Sequence, residues 1–488
     1  MTTVPFGDGP YRPFIDGSWL EPQGRPVADV FNPANGERVG QVVLGTLEDV
    51  SRAGQAAARA FRQWRHSSPA ERAALLHRAA ELLQARLEDV ARLLTQEQGK
   101  PLVDSRKELQ TTVRLLQFYA EEAERIEGVY QRGAAGRTVS IAIREPVGPV
   151  AAIGPSNYPV ELIAFKLGPA LAAGCTAVVK PPEETPLSVL ELIRCFADAG
   201  APPGVVNAVT GGAAVGEALV RHPDIRKVAF TGSTSVGKKI AALAGEALKP
   251  VTLELGGNAP FIVFSDADLD LAVAGAVRRS FSNAGQICIA VNRIFVERSI
   301  FEEFVEAFAA RARSLVVANG LEVPNADMGP LVSLRAREQV ERHVEDACRR
   351  GARVVAGGGA LKGGDYDRGW FFAPTVLTNV TEDMLCMREE TFGPVAPIRA
   401  FDKAEEAFAW ANATPYGLAA YVYTRDLGRA MAAVRCIDAG GIGLNVNDVT
   451  ELTMPFGGYK DSGLGRELGR YGLDGYLQWK HVRVGIIS

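Results

Sequence analysis

The chain reads as an α/β protein built on two doubly wound parallel sheets, with a small additional β module, and three patterns predict this. Short apolar runs alternate with helical stretches from Pro149 onward, and a second series of the same kind begins near Phe261. Two half-apolar alternations, one ahead of the first series and one at the chain's end, are far apart but similar enough to pair. A length of 488 residues allows roughly two to four domains, each with its own core.

Composition narrows the class. Hydrophobic residues make up 47% and charged residues 23%, as in an ordinary soluble enzyme. The formal charge of -4 is small, and the basic residues are spread rather than blocked, so neither nucleic acid nor a membrane surface is favoured as a partner. The opening Met-Thr-Thr-Val-Pro-Phe-Gly-Asp-Gly-Pro has no basic segment leading into an apolar core. No apolar run approaches the ~20 residues of a membrane span, and a cytoplasmic protein is expected. The cysteines at 175, 195, 288, 348, 386 and 436 show neither disulfide nor metal-ligand spacing, which predicts reduced thiols and no metal.

Taken in order, a polar arm leads to a helix from Val50, whose apolar face is Val50, Ala53, Ala57, Phe61 and Trp64. Leu75, Leu76, Leu82, Leu83, Leu87 and Leu94 predict a second long helix ending at Gly99-Lys-Pro101. Ser105-Arg-Lys-Glu108 has the form of a capping box ahead of Leu109, Val113, Leu116 and Tyr119, and so predicts the start of a third. These helices are expected to pack, with their charges on a solvated face. After a Gly-rich turn at Gly133 to Gly136, Val139, Ile141 and Ile143 alternate as a strand, matched at the end by Val482, Val484 and Ile486. An open edge on such a pair invites a second subunit.

The first parallel series comprises Val150 to Ile153, Thr176 to Val179, Val205 to Val209, Val228 to Phe230 and Val251 to Leu255, with helices at Leu187 to Phe196 and Gly216 to Val220 between them. Such sheets bind ligands at the carboxyl ends of their strands. The second series includes Phe261, Arg293 to Glu297, Val376 to Val380 and Tyr421 to Thr424. Cys288 belongs to this series, which places a site between the two units.

Phe281-Ser-Asn-Ala-Gly-Gln-Ile-Cys288-Ile-Ala-Val-Asn292 sets one cysteine between a polar, glycine-containing approach and an apolar run. A thiolate there is a nucleophile beside backbone N–H groups, although a free cysteine is more often a small buried hydrophobe. Glu254 ends a strand just before Gly256-Gly257, where its carboxylate reaches a cavity or serves as a surface cap. Asn157, in Pro155-Ser-Asn-Tyr-Pro159, is either a turn asparagine or an amide aimed at a developing oxyanion. Phe230-Thr-Gly-Ser-Thr-Ser-Val-Gly-Lys238-Lys239 nearly spells a P-loop, but Lys239 stands where a hydroxyl would hold Mg²⁺. Gly232 and Ser233 at a helix N-terminus still suit a pyrophosphate. A P-loop nucleotide hydrolase and a cysteine hydrolase remain rivals. None of the histidines at 66, 77, 222, 343 and 481 sits in a recognisable partner motif for the latter.

Together these segments, in this order along nearly the whole chain, resemble the aldehyde dehydrogenase superfamily. Ser156-Asn157-Tyr158-Pro159 resembles its oxyanion motif, Lys180-Pro-Pro-Glu183 its adenosine-ribose contact and Phe230-Thr-Gly-Ser233 its pyrophosphate turn. Leu253-Glu254-Leu-Gly-Gly257 is similar to its general-base motif and Asn283-Ala-Gly-Gln-Ile-Cys288 to its nucleophile motif. Glu390-Thr-Phe392-Gly-Pro is similar to its nicotinamide-ribose and ring contacts, and Pro455-Phe-Gly-Gly-Tyr-Lys-Asp-Ser-Gly to its C-terminal signature.

The resemblance implies oxidation of a small aldehyde to its acid. Cys288 is then the nucleophile, Asn157 the oxyanion donor, Glu254 the general base and Lys166 an electrostatic support. It implies NAD, with NADP possible, held by Ile153, Gly154, Pro155, Ser156, Lys180, Pro181, Glu183, Gly212, Gly216, Phe230, Thr231, Gly232, Ser233, Leu255, Glu390 and Phe392. The presence of Glu254 argues for a free acid rather than a CoA thioester. The implied architecture is a Rossmann-like cofactor domain (1–123, 147–256 and 447–470), a catalytic domain (257–446) and an oligomerisation module (124–146 and 471–488), forming a homodimer or homotetramer.

The succinate-semialdehyde dehydrogenase branch resembles this chain most, yet Phe165 and Ser282 stand where that branch carries substrate arginines. Glu161 lies one helical turn before Phe165, where it lines the substrate tunnel or pairs with a neighbouring base. Phe165, Ile287 and Ile289 are expected to form an apolar sleeve, with Tyr158 and Phe456 also at the substrate. Neutral or amine-bearing aldehydes are therefore expected in preference to succinate semialdehyde, for which the bidentate partners are missing.

Overall fold

A computed structural model describes residues 9–133 and 137–485 of the protein. Most of the N-terminal reading over Met1 to Pro10, most of the turn over Gly133 to Gly136, and Ile486 lie outside the described residues.

Four-residue runs such as Val150–Ile153 and Ala177–Lys180 are apolar almost throughout because both faces of a parallel sheet are covered by helices. The first sheet places its strands in the order Gly463–Leu464, Val251–Glu254, Lys227–Thr231, Val150–Ile153, Ala177–Lys180, Val206–Ala208, Phe14–Ile15, Ser18–Trp19. The five strands from Val251–Glu254 to Val206–Ala208 are parallel and the flanking ones antiparallel. The parallel part of this sheet begins at Val150–Ile153, winds outward through two strands, then crosses back to Lys227–Thr231 on the other side. The crevice beyond the carboxyl end of Val150–Ile153 is thus a topological switch point, where such sheets receive ligands.

The second sheet runs Arg353–Ala356, Thr375–Thr378, Val395–Phe401, Val291–Glu297, Ala259–Val263, Ala419–Tyr423, Gly441–Leu444, parallel except for its first strand. The two distant alternations pair as expected. Leu477–Gly485 lies antiparallel on Thr138–Pro146, with Val482 opposite Ile141 and Val484 opposite Val139, and Val129–Arg132 completes a three-stranded sheet.

The region before the parallel series corrects several expectations. The polar arm holds strands: Phe14–Ile15 and Ser18–Trp19 extend the first sheet, and Val27–Phe31 pairs with Arg38–Val43. The first helix is Leu47–Trp64, begun by a capping box of Thr46 and Asp49 rather than at Val50. The leucine series spans two helices, Pro69–Ala85 and Leu87–Gln98, broken at Arg86, whose guanidinium turns away to Asp198 (2.6 Å). The third helix starts at Leu102, directly after Pro101, so Ser105 and Glu108 lie inside it and cap nothing of their own helix. Nor are the charges of this region all solvated: Glu97, Lys100 and Glu108 are fully buried.

Among the described residues no helix is long and apolar enough to cross a membrane.

Candidate active site

Helix Pro159–Ala173 is buried on nearly every side, and it follows strand Val150–Ile153 through the turn that carries Asn157. The nucleophile segment arrives from the other sheet. Helix Leu269–Phe281 ends, Asn283 (φ 50°), Ala284 (φ 55°) and Gly285 (φ 71°) take left-handed conformations in succession, and the chain reverses into Val291–Glu297. Gly285 is required by contact as well, since a Cβ there would lie 2.2 Å from the Gly393 carbonyl oxygen.

The two segments are tied across the gap. The Asn157 side-chain amide donates to the Gln286 carbonyl (3.1 Å), and the Asn283 amide donates to the Asn157 carbonyl (3.2 Å). Gln286 donates to the Asn283 carbonyl (2.9 Å) and accepts from the Val332 N–H (2.9 Å). Asn157, Tyr158, Glu161, Phe165, Ile287, Cys288, Ile289 and Phe456 all line one cavity of about 300 Å³, with Ser282 on the same wall. Cys288 is half-buried in it.

Glu254 and Lys166 do not line that cavity. Glu254 is the last residue of its strand, paired in register with Thr231, and both its carboxylate oxygens are buried without a hydrogen-bond partner among the described residues. Gly457 leaves it room, because a Cβ there would lie 2.7 Å from Glu254 Oε1. The Lys166 ammonium donates to Thr231 Oγ1 (2.6 Å), the Leu162 carbonyl (3.1 Å) and Glu467 Oε1 (2.9 Å).

Burial dominates the charges. It pushes the Cys288 thiol up to about 12, with the carboxylates of Glu390 and Glu254 adding to the effect and its own backbone N–H opposing it. Burial, then Glu467, holds Glu254 well above the usual carboxylate range, against Lys166 and Arg466. Glu161 is raised to about 8 by burial and the neighbouring Glu108. Its carboxylate makes no hydrogen bond or ion pair among the described residues, so the pairing left open from sequence is not observed. The one buried arginine of the cavity wall, Arg279, is bound to Asp448 (2.9 Å) and the Asn447 carbonyl (2.6 Å), while Arg114, Arg278 and Lys107 stand exposed at the mouth.

The dinucleotide contacts expected from sequence share the carboxyl edge of the first sheet. Ile153 pairs with both Lys180 and Phe230, and Thr231 with Glu254, so Gly154-Pro155-Ser156, Pro181, Gly232-Ser233 and Leu255 begin side by side. Glu183 leans over Gly212, where a Cβ would lie 2.7 Å from its Oε1, and Gly216 faces the Lys180 stem. Helix Thr234–Glu246 starts after Ser233 with no side-chain cap, leaving its first N–H groups for an anion. Glu390 accepts from the Gly257 N–H (3.0 Å), its carboxyl is raised to about 7 by burial, and Phe392 holds a left-handed φ of 50°. Bare glycines, uncapped helix amides and two carboxylates share this edge and suit a nicotinamide dinucleotide, whose phosphates the amides after Ser233 would hold and whose ribose hydroxyls Glu183 and Glu390 would hold.

Sequence reasoning missed Lys100, Glu108, Glu467 and Gln339. Lys100 sits in the Gly-Lys-Pro helix stop, and Glu467 lies just beyond the C-terminal signature ending at Gly463, neither with a role that its local pattern marks. Gln339 donates to the carbonyls of Glu390 (3.1 Å) and Thr391 (3.3 Å), and nothing local marks it.

Residues 19–482 match the model of the aldehyde dehydrogenase family. The chain is 46% identical to 3-sulfolactaldehyde dehydrogenase of Pseudomonas putida over 475 residues, 97% of this chain and 96% of that one. It is 42% identical to succinate-semialdehyde dehydrogenase (NADP(+)) GabD of Escherichia coli strain K12 over 473 residues, 97% of each. Betaine aldehyde dehydrogenase of Staphylococcus aureus, solved in complex with NAD+, superposes with a TM-score of 0.94 at 36% identity, covering 97% of this chain and 94% of the other.

Proposed function

We propose, from the premise that the chain belongs to the aldehyde dehydrogenase family and oxidises an aldehyde with a nicotinamide dinucleotide, that its substrate carries an uncharged or ammonium-bearing tail rather than a carboxylate. The unpaired Glu161 carboxyl on the cavity wall carries this reading. Phe165 and Ser282 on the same wall offer no cation for an acid tail.

In this reading the Cys288 thiol gives its proton to solvent in the cavity as the sulfur adds to the aldehyde carbon. The second N–H of the Asn157 amide and the Cys288 N–H stabilise the oxyanion. NAD or NADP, when bound, accepts the hydride that leaves the carbon. The acyl group is then a thioester on Cys288. Glu254 in its ionised form takes a proton from water, whose oxygen attacks the thioester, releasing the acid and restoring the thiol. Lys166 favours the ionised Glu254, and Glu467 opposes it.

Glu254→Gln is expected to form the thioester without hydrolysing it. The checks are a burst of one equivalent of NADH followed by slow turnover, and an acyl adduct by intact mass. Loss of both burst and adduct would move Glu254 to an earlier step.

Glu183 accepts hydrogen bonds from a free ribose diol and repels a 2′-phosphate, so kcat/KM is expected to be higher with NAD than with NADP. A higher value with NADP would refute that role.

The exposed strand Leu477–Gly485, on an open sheet edge with Trp479 59% and Val484 45% accessible, is proposed to join two copies into a dimer or a doubled dimer. Light scattering at micromolar protein is expected to give at least twice the chain mass, and a single-chain mass would end this proposal.

For the substrate, kcat/KM is expected to be higher for an ω-amino aldehyde and for an uncharged aldehyde of equal length than for succinate semialdehyde. A tenfold preference for the acid, about 1.4 kcal/mol, would overturn the reading. Glu161, with its carboxyl at about 8, must ionise to hold an ammonium group. The ratio of kcat/KM for the amino aldehyde over the uncharged one should therefore rise between pH 7 and about 9 and lose this rise in Glu161→Gln. Titration of Cys288 and Glu254 is common to both substrates and cancels.

A further inference from the structure

Two buried charges lie outside the chemistry described above. Lys100, between helices Leu87–Gln98 and Leu102–Ala123, is fully buried, and each direction its ammonium faces is occupied. It donates to Glu108 Oε2 (2.6 Å) and to the Asn157 carbonyl oxygen (2.5 Å), and it lies 3.8 Å from the centre of the Tyr158 ring. Glu108, equally buried, uses its other oxygen to accept from the N–H groups of Val160 (3.0 Å) and Glu161 (3.2 Å). Those are among the first free amides of helix Pro159–Ala173, whose own N-cap residue, Tyr158, makes no side-chain cap. A carboxylate from another helix therefore does the capping, and the lysine beside it keeps that carboxylate neutralised.

The consequence falls on Asn157. Among the described residues its side chain has one hydrogen bond, to the Gln286 carbonyl, and its Oδ1 is buried without a partner. The side chain alone therefore fixes the amide only loosely. Its peptide carbonyl, in contrast, is gripped by the Lys100 ammonium and by Asn283. We propose that Lys100 and Glu108 are positioning residues, an ion pair that fixes the Asn157–Tyr158 peptide and so aims the Asn157 amide at the carbonyl being attacked by Cys288. This rests on the reading of Asn157 as the oxyanion donor. The placement needs its neighbours close: a Cβ on Gly99 would lie 2.8 Å from both Pro33 and Pro330, and one on Gly329 would lie 1.9 Å from the Gly99 carbonyl oxygen.

The test separates holding the fold from holding the amide. Lys100→Met alone leaves Glu108 as a buried unpaired carboxylate, and is expected to lower both the melting temperature and the burst rate of NADH formation. Lys100→Met with Glu108→Gln removes both charges and keeps an acceptor for the helix amides, so most of the melting temperature should return. The burst rate should stay at least tenfold below that of the unaltered enzyme, with KM for NAD within about twofold, because the Asn157 carbonyl is still released. Recovery of the burst rate together with the melting temperature would show that the pair is structural only. A KM for NAD that worsens in parallel would likewise overturn the proposal. Should the double variant not fold, Lys100→Gln, which removes the ammonium from the Asn157 carbonyl but keeps a donor for Glu108, is judged by the same burst and KM criteria. Asn157→Ala is the reference. If its burst rate is unchanged, the reading of Asn157 fails; if it falls while the charge variants do not, only the role of Lys100 and Glu108 fails.

Discussion

One hydrogen bond, from the Asn157 amide to the Gln286 carbonyl, joins the switch point of the first sheet to the loop that feeds the second, and the site exists only where these meet. Neither sheet holds a complete set of groups. The cysteine belongs to one, while the amide, the strand-end carboxylate and the dinucleotide edge belong to the other. Reacting atoms must be held within fractions of an ångström, so a site shared in this way demands a stiff seam. The seam is stiffened by Asn283 and Val332 around Gln286, and by Ser462, whose hydroxyl donates to the Gly256 carbonyl (2.7 Å) and accepts from the Gly417 N–H (2.9 Å). Ser462 thus clamps the chain where it passes from Glu254 to the second sheet.

The same burial that makes the seam stiff keeps the reacting groups neutral at rest. Cys288 at about 12, Glu254 well above its usual range and Glu161 at about 8 are all raised chiefly by desolvation, and each carboxyl is raised further by a neighbouring carboxylate. Ionisation of these three groups therefore comes with a ligand or during turnover, while the standing charges of the cavity are those of its mouth and the Arg279–Asp448 pair. Of the cations acting on Glu254 the foremost is Lys166, yet Glu467 binds it at 2.9 Å. The pair leaves Glu254 exposed to two opposing influences of similar reach, and deacylation requires the one that favours ionisation.

The parallel series was legible because fully buried strands are short unbroken runs of valine, isoleucine and alanine, and helices between them leave a 3.6-residue period. Elements that depend on distant partners were not. Phe14–Ile15 and Ser18–Trp19 are two residues each, strands only because Ala208 offers an edge. The leucine series kept its period across Arg86, so the break was invisible until the guanidinium could be seen leaving for Asp198. Ser105 and Glu108 satisfied a local capping pattern, but Glu108 caps a helix 52 positions away and Ser105 bonds to Thr95. The residues flanking the reaction, Cys288, Glu254 and Asn157, stood out by local pattern, and the resemblance gave them roles. Lys100, Glu108 and Glu467 carry no local mark of a holding role, because the groups they hold, the Asn157 carbonyl, the Val160 and Glu161 amides and Lys166, lie far along the chain.

Relatives named for acid- and sulfonate-tailed aldehydes align with 97% of this chain at 42% and 46% identity, so membership of the family does not by itself select the tail. Selection lies with a few side chains on the cavity wall. Helix Pro159–Ala173 brings Glu161 and Phe165 to this wall one turn apart, so exchanging either one alters the pocket directly. Arg279 is near enough to line the cavity, but Asp448 already neutralises it. An arginine left unpaired there would carry its charge permanently and bear the full desolvation cost whenever the pocket was empty. A carboxyl does not, because with burial raising it to about 8 it rests protonated and gives up its proton only when a cation arrives to replace it. The pocket can thus discriminate by charge while remaining close to neutral when empty.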